Sequence, residues 1–193
     1  MNRLEHAIAS FDAENAKDPR LEIEGDGNEY PRELLYHQRL SRWVKKLRPA
    51  APEHLTLAAR CQHIRRWDIP RSDYPTGKKG YYNWRTTLYK HHADIAEKIL
   101  REVGYDDEII SRVRDLLLKK DIKDDPDSQT LEDAVCLTFI ENGFAEFASK
   151  HDEEKLIGIL QKTWAKMSEQ GRSAALALEM PEDLRALVEK ALG

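Results

Sequence analysis

The sequence predicts an all-α protein. Apolar residues recur at three- and four-residue intervals through nearly the whole chain, and no stretch sustains the alternation of a strand. The 9 glycines and 8 prolines gather in a few clusters rather than at the regular short spacing of an all-β chain. With 193 residues, 40% hydrophobic and 34% charged, the chain has the length of one domain and enough apolar material for a core. One unit over residues 1–193 is expected.

Leu4, Ile8 and Phe11 mark a first helix after Asn2, ended by the polar, Gly-containing stretch from Lys17 to Tyr30. Pro31, suited to a first helical position, opens a second helix with Leu34, Leu40, Val44 and Leu47. Pro49 and Pro52 close it and start a third, with Leu55, Ala59 and Gln62, running toward Trp67. From Asp68 to Gly80 the pattern breaks at Pro70, Pro75 and Gly77, which predicts a loop of a length that is often functional. A fourth helix carries Trp84, Leu88, His92, Ile95 and Ile99 and stops at Gly104. The fifth starts at Asp106, whose charge suits a helix N-terminus, and carries Ile109, Val113 and Leu116. Asp121 to Ser128 is a polar link to a sixth helix with Leu131, Val135, Ile140 and Phe144. A seventh, from Asp152, carries Leu156, Leu160, Trp164 and Met167 and ends by Gly171; a short Ala/Leu helix and a last one opened by Pro181 follow.

Several classes fall away on composition. A net charge of −4 does not describe a surface built wholly for nucleic acid. Cys61 and Cys136 form no CxxC pair, so neither a disulfide framework nor a thiolate zinc site is expected, and both read as reduced core residues. The longest apolar run is the five residues Ala174 to Leu178, and Met1-Asn-Arg-Leu-Glu-His leads directly into a charged amphipathic pattern. No membrane association and a cytoplasmic location are expected.

Four polar residues lie on faces that should be buried. His37 follows Leu34 by three and precedes Val44 by seven; His63 follows Ala59 by four. His92, rather than His91, is in register with Leu88, Ile95 and Ile99, and Asp133 has Cys136, Leu137 and Ile140 at +3, +4 and +7. Three imidazoles and a carboxylate from four helices suit a metal site for Fe, Mn, Zn or Ni. The other reading is that each His is a core residue bonded to a backbone carbonyl, and that Asp133 serves as a cap or pairs with an arginine.

The segments Tyr36-His37 to Val44, Leu57 to Ile64, His92 to Leu100 and Leu131-Glu-Asp133 to Leu137 resemble the successive motif helices of the HD superfamily, all-helical proteins many of which are metal-dependent phosphohydrolases. The resemblance spans about residues 31–148, leaving 149–193 as a C-terminal helical extension. It implies His37, His63, His92 and Asp133 as metal ligands, with His63 and Asp133 catalytic. Ile64 stands where the superfamily carries the aspartate of its His-Asp pair, and Lys119-Lys120 where a second auxiliary histidine would fall. A mononuclear site or an oxidative iron chemistry therefore stays open. The wider string Gln62-His-Ile-Arg-Arg-Trp67, Pro70-Arg71, Trp84-Arg85, Leu131-Glu-Asp133 and Lys162 to Ser168 resembles an uncharacterised bacterial and fungal family, domain of unknown function 4202.

The stretch from Arg65 to Lys90 holds seven Lys/Arg against Asp68 and Asp73, a local charge of +5 that leaves −9 on the remainder. Trp67, Tyr74, Tyr81, Tyr82, Trp84 and Tyr89 are interleaved with the cations. Such a mixture suits a phosphate with a base or sugar attached, and it also suits a solvated loop whose rings pack on the core. Arg65, Arg66, Arg71, Lys78, Lys79 and Arg85 are the candidate substrate-binding residues. Two functions follow. One is a metal-dependent phosphohydrolase acting on a nucleotide or other phosphorylated small molecule. The other is an HD-like module without chemistry that binds nucleotide, RNA or a protein through residues 65–90.

Overall fold

The computed structural model describes residues 1–120 and 124–192. It is helical almost throughout. α1 (Arg3–Asn15) begins at a capping box in which Asn2 and Glu5 exchange side-chain-to-backbone bonds. A short antiparallel hairpin, β1 (Leu21–Ile23) and β2 (Glu29–Pro31), pairs Glu22 with Tyr30. It occupies the stretch expected to be without regular structure. α2 (Arg32–Leu47), α3 (Glu53–Cys61), α4 (Gly77–Val103) and α5 (Asp107–Leu117) follow. α6 (Pro126–Thr138) passes through a π-helical turn at Phe139–Gly143 into α7 (Phe144–Ala148). α8 (Glu153–Trp164), α9 (Glu169–Leu176) and α10 (Glu182–Leu192) complete the chain.

The core is built where the apolar faces meet. α2 packs on α3 and α6, α4 on α5 and α1, α3 on α5, and α6 on α9. Phe11, Leu40, Leu57, Leu100, Val113 and Leu137 lie at its centre. A second, smaller cluster of Phe144, Leu156, Leu160, Leu184 and Ala191 joins α7, α8 and α10. Cys61 and Cys136 are buried thiols, and burial raises the Cys61 thiol and takes that of Cys136 to about 12.

Boundaries differ from expectation in identifiable ways. The third helix ends at Cys61, and the chain then turns through 3₁₀ segments at Arg66–Asp68 and Arg71–Asp73. α4 begins within the expected loop, at Gly77, with Lys78, Lys79, Tyr81 and Tyr82 exposed and Gly80 buried against the Pro75 carbonyl. The predicted link from Asp121 to Ser128 lies partly outside the described residues, at 121–123, and helix resumes at Pro126. Gly171 sits inside α9 rather than ending the preceding helix. Among the described residues no helix is long and apolar enough to cross a membrane.

Candidate functional site

The turn that follows α3 is fastened from two sides by imidazoles. His37, on the buried face of α2, accepts the backbone N–H of His63 at its Nε2 (2.8 Å), so its Nδ1 carries the proton and donates to the Glu33 carbonyl. His92, on the buried face of α4, donates from Nδ1 to the Ile64 carbonyl (2.7 Å). Burial drives both imidazoles down to about 3, with the carbonyl bonds acting in the opposite sense, so both are neutral at physiological pH. Arg65, next along, takes a left-handed conformation at φ 52°, which costs a non-glycine residue about 1–2 kcal/mol. Anchoring of the two preceding residues holds it there. The same turn presents the side chains of His63 and Arg66.

These two side chains divide a cleft into two compartments, both of which they line together with Val135 and Phe139. The first is a cavity of about 320 Å³ between α2 and the π-turn, walled also by Glu33, Tyr36, Arg39, Asn142 and Glu146. Its charges are largely paired: Arg39 with Glu22 and Glu24, Arg32 with Glu146, and Arg20 with Glu33. Tyr36 stacks on His63 with ring centroids 4.7 Å apart. The second, about 230 Å³, lies between α4 and α6 and is lined by Arg66, Arg85, Lys119 and Lys166 against a single carboxylate, Glu132.

In the second compartment Glu132 takes Lys119 as an ion-pair partner and has Lys166 at 3.6 Å. The two arginines are held differently. Arg66 lies 4.8 Å above the ring of Trp84, and Arg85 lies 5.3 Å from Tyr89 and 5.7 Å from Tyr81. Neither has a carboxylate within ion-pair distance among the described residues. An aromatic face attracts a cation without neutralising it; Arg85 gives one N–H to the Tyr89 hydroxyl, and the remaining guanidinium donors of the two arginines stay available to another partner. Burial lowers His63 well below the usual imidazole range, and Arg66 and His92 push it further, so it is neutral too.

The predicted metal ligands come together only in part: the His63 ring lies 6.4 Å from that of His37 and 5.7 Å from that of His92 between centroids, while Asp133 is elsewhere. His37 has both ring nitrogens engaged by backbone, which leaves no lone pair for a metal. Asp133 points away from the histidines. Its carboxylate accepts the Ser168 N–H (2.8 Å), the Ser168 hydroxyl and Gln129 Nε2 (3.0 Å), and so fixes the start of α9, which Ser168 caps. Gly171 makes this approach possible, since a Cβ there would stand 2.6 Å from the Asp133 carboxyl carbon. Asp133 is thus a structural residue and not the expected catalytic or metal-binding one. The carboxylate that faces the site is its neighbour Glu132, one step and about 100° around α6. Among the described residues no three His, Cys, Asp or Glu side chains are placed to hold a metal ion. The donor set therefore does not fit the Fe, Mn, Zn or Ni centre that the HD resemblance implies.

Of the predicted substrate-binding cations, Arg66 and Arg85 line the cleft. Arg65 instead pairs with Asp68 at 2.9 Å, and Arg71 donates to the carbonyls of Tyr74 and Pro75. Lys78 and Lys79 stand exposed on the first turn of α4. His91 is half-buried, with Nε2 3.2 Å from Asp68 Oδ2, while His92 is the inward residue of the pair as its register predicts. A family model described as a domain of unknown function (DUF4202) matches residues 5–188. The chain belongs to that family. No curated protein and no solved structure matches this DUF4202 chain.

Sequence reasoning missed Glu33, Tyr36, Arg39, Lys119, Glu132 and Lys166, all of which line the DUF4202 cleft. One had a local signal. Lys119 takes the left-handed position (φ 57°) that closes α5, where glycine is the usual occupant. The others are ordinary charged or aromatic residues of helical sequence, with nothing in their spacing to set them apart.

Proposed function

We propose that this protein binds a phosphorylated small molecule, such as a nucleotide, with the phosphate in the cation-rich compartment. The observation that carries the reading is the state of Arg66 and Arg85: both line the cleft, both are held by aromatic rings, and neither is neutralised by a carboxylate among the described residues. Lys119 and Lys166, sharing one carboxylate, add to the positive field. Phosphate oxygens accept charge-assisted bonds from such donors, each worth about 1.5–3 kcal/mol.

The test is calorimetric titration with inorganic phosphate and with adenosine monophosphate. Binding of either by the wild type, weakened about 10–100-fold in Arg66→Ala and in Arg85→Ala, is expected. No binding of either probe, or equal binding in both variants, overturns the reading. RNA binding that survives both variants would instead favour the exposed Lys78 and Lys79 on α4.

A second reading, hydrolysis of the bound phosphate ester or anhydride, is favoured by one observation. His63 lines both compartments; burial and Arg66 make it a weak base in the free protein, and the negative charge of a bound phosphate beside it would raise its basicity toward the range in which it takes a proton from a water attacking phosphorus. Phosphate release from p-nitrophenyl phosphate that disappears in His63→Asn would support it. No release by the wild type would sink it and leave the binding function intact.

A further inference from the structure

Three buried side-chain polar atoms along the charge-paired compartment have no hydrogen-bond partner among the described residues: Glu33 Oε2, Tyr36 OH and Arg39 Nε. They belong to residues spaced three apart on α2, so they rise along one face of that helix. In each case the rest of the polar group is already engaged. Glu33 Oε1 accepts from Arg20 at 3.0 Å. The terminal nitrogens of Arg39 bind Glu22 and Glu24, leaving only Nε–H. Glu33 is 4% exposed and Arg39 7%. Buried polar groups in native proteins are ordinarily paired, and several unpaired ones around a single cavity point to an absent partner.

The chemistry of that partner follows from the inventory. A carboxyl oxygen, a phenol and an N–H together call for a group that donates and accepts at once, and a hydroxyl does both. A charged group is disfavoured because Arg32, Arg39 and the carboxylates here already pair, and Arg66, the lining cation without an ion-pair partner among the described residues, is shared with the phosphate compartment. The rings of Tyr36 and Phe139 supply apolar walls for C–H surface. We infer that this compartment is a subsite for an uncharged, hydroxyl-bearing head, the sugar or polyol portion of a phosphorylated ligand, recognised by Glu33 Oε2, Tyr36 OH and Arg39 Nε. The inference rests on the phosphate reading of the adjoining compartment.

The experiment compares inorganic phosphate, cyclopentyl phosphate and four hydroxylated esters (ribose 5-phosphate, glucose 6-phosphate, glycerol 3-phosphate and inositol 1-phosphate) by calorimetry. At least one hydroxylated ester is expected to bind about tenfold tighter than both inorganic and cyclopentyl phosphate. Tyr36→Phe, which keeps the ring, and Glu33→Gln should each cut that advantage to about threefold or less, with affinity for inorganic phosphate unchanged. Tyr36→Phe decides the matter if Glu33→Gln fails to fold. If inorganic phosphate binds but no ester gains from its hydroxyls, the inference is overturned and the phosphate reading stands. If nothing binds, inorganic phosphate included, it is the phosphate reading that fails, and the subsite falls with it. If adenosine monophosphate outbinds every sugar ester and keeps that margin in both variants, the compartment takes a base, and the inference is overturned.

Discussion

The two compartments share a wall, yet their buried glutamates have moved in opposite directions. Glu33 and Glu132 are both almost fully buried, at 4% and 7% exposure. Burial alone would raise both. It does raise Glu33, to about 7, because Arg66 and Arg20 only partly offset the loss of water and Asp18 adds repulsion. At Glu132 the same burial is outweighed by Lys119, with Lys166 and Arg85, and its carboxyl sits below the usual range. The difference teaches that one compartment is short of positive charge for its own carboxylate while the other has it in surplus. A phosphate belongs where the surplus is, and a neutral head where the carboxyl is half protonated.

The largest expected effect concerns the wall itself. His37 and His92 titrate near 3 in the folded state against about 6.5 unfolded, so the unfolded chain takes up more protons as pH falls. Their stabilising contribution is complete above pH ~6.5 and is lost progressively below it, by about 2 kcal/mol per histidine at pH ~5. In a Glu33→Gln background, which removes a contribution of opposite sign, urea unfolding at pH ~7.5 and ~5 should show a fall of about 4 kcal/mol, and a flat profile there would mean that the imidazoles do not anchor the turn.

Glu33 contributes with the opposite sign. Its folded value lies above the unfolded one, so the native state holds the extra proton between pH ~4.5 and ~7, and stability declines as pH rises through that window. The stability of the wild type relative to Glu33→Gln should fall by roughly 3 kcal/mol across it. No slope in that difference would erase the contrast between the glutamates.

Asp133→Ala should cost about 1–2 kcal/mol in chemical denaturation, the loss of a helix-start anchor, with no change in phosphate affinity. A selective loss of phosphate binding in a variant of unchanged stability would return Asp133 to the site. The smallest effect sharpens the comparison most directly. Glu132→Gln removes the one carboxylate from the cation-rich compartment, and inorganic phosphate should bind about two- to fivefold tighter in a calorimetric titration.

What could be read from the sequence tracks how burial is encoded. The helices were legible because their buried faces repeat every three to four residues, and the inward histidines because they interrupt that repeat. The hairpin was not, since Leu21 and Ile23 point outward at 55% and 67% exposure while Glu22 is the more covered residue, the reverse of the usual strand pattern. At the site, Arg66 and Arg85 were legible from their aromatic neighbours. Glu132 was hidden behind Asp133, because both are buried, adjacent and acidic, and only the packing of α9 on α6 decides which carboxylate faces which way. That His37 and His92 anchor a turn was equally out of reach, since it depends on backbone atoms far along the chain.

The segment from Ile69 to Pro75, part of the loop expected from Asp68 to Gly80, is tied to α4 and to itself. Trp84 Nε1 donates to the Ile69 carbonyl at 2.9 Å, and Arg71 bonds the carbonyls of Tyr74 and Pro75. The Pro75 carbonyl lies so close to Gly80 that a Cβ there would stand 1.9 Å from its oxygen. Residues 69–75 line neither compartment, so their fastening bears on the cleft only through α4, the helix that carries Arg85. Residue 80 is the rivet: any side chain there must pry the segment from that helix.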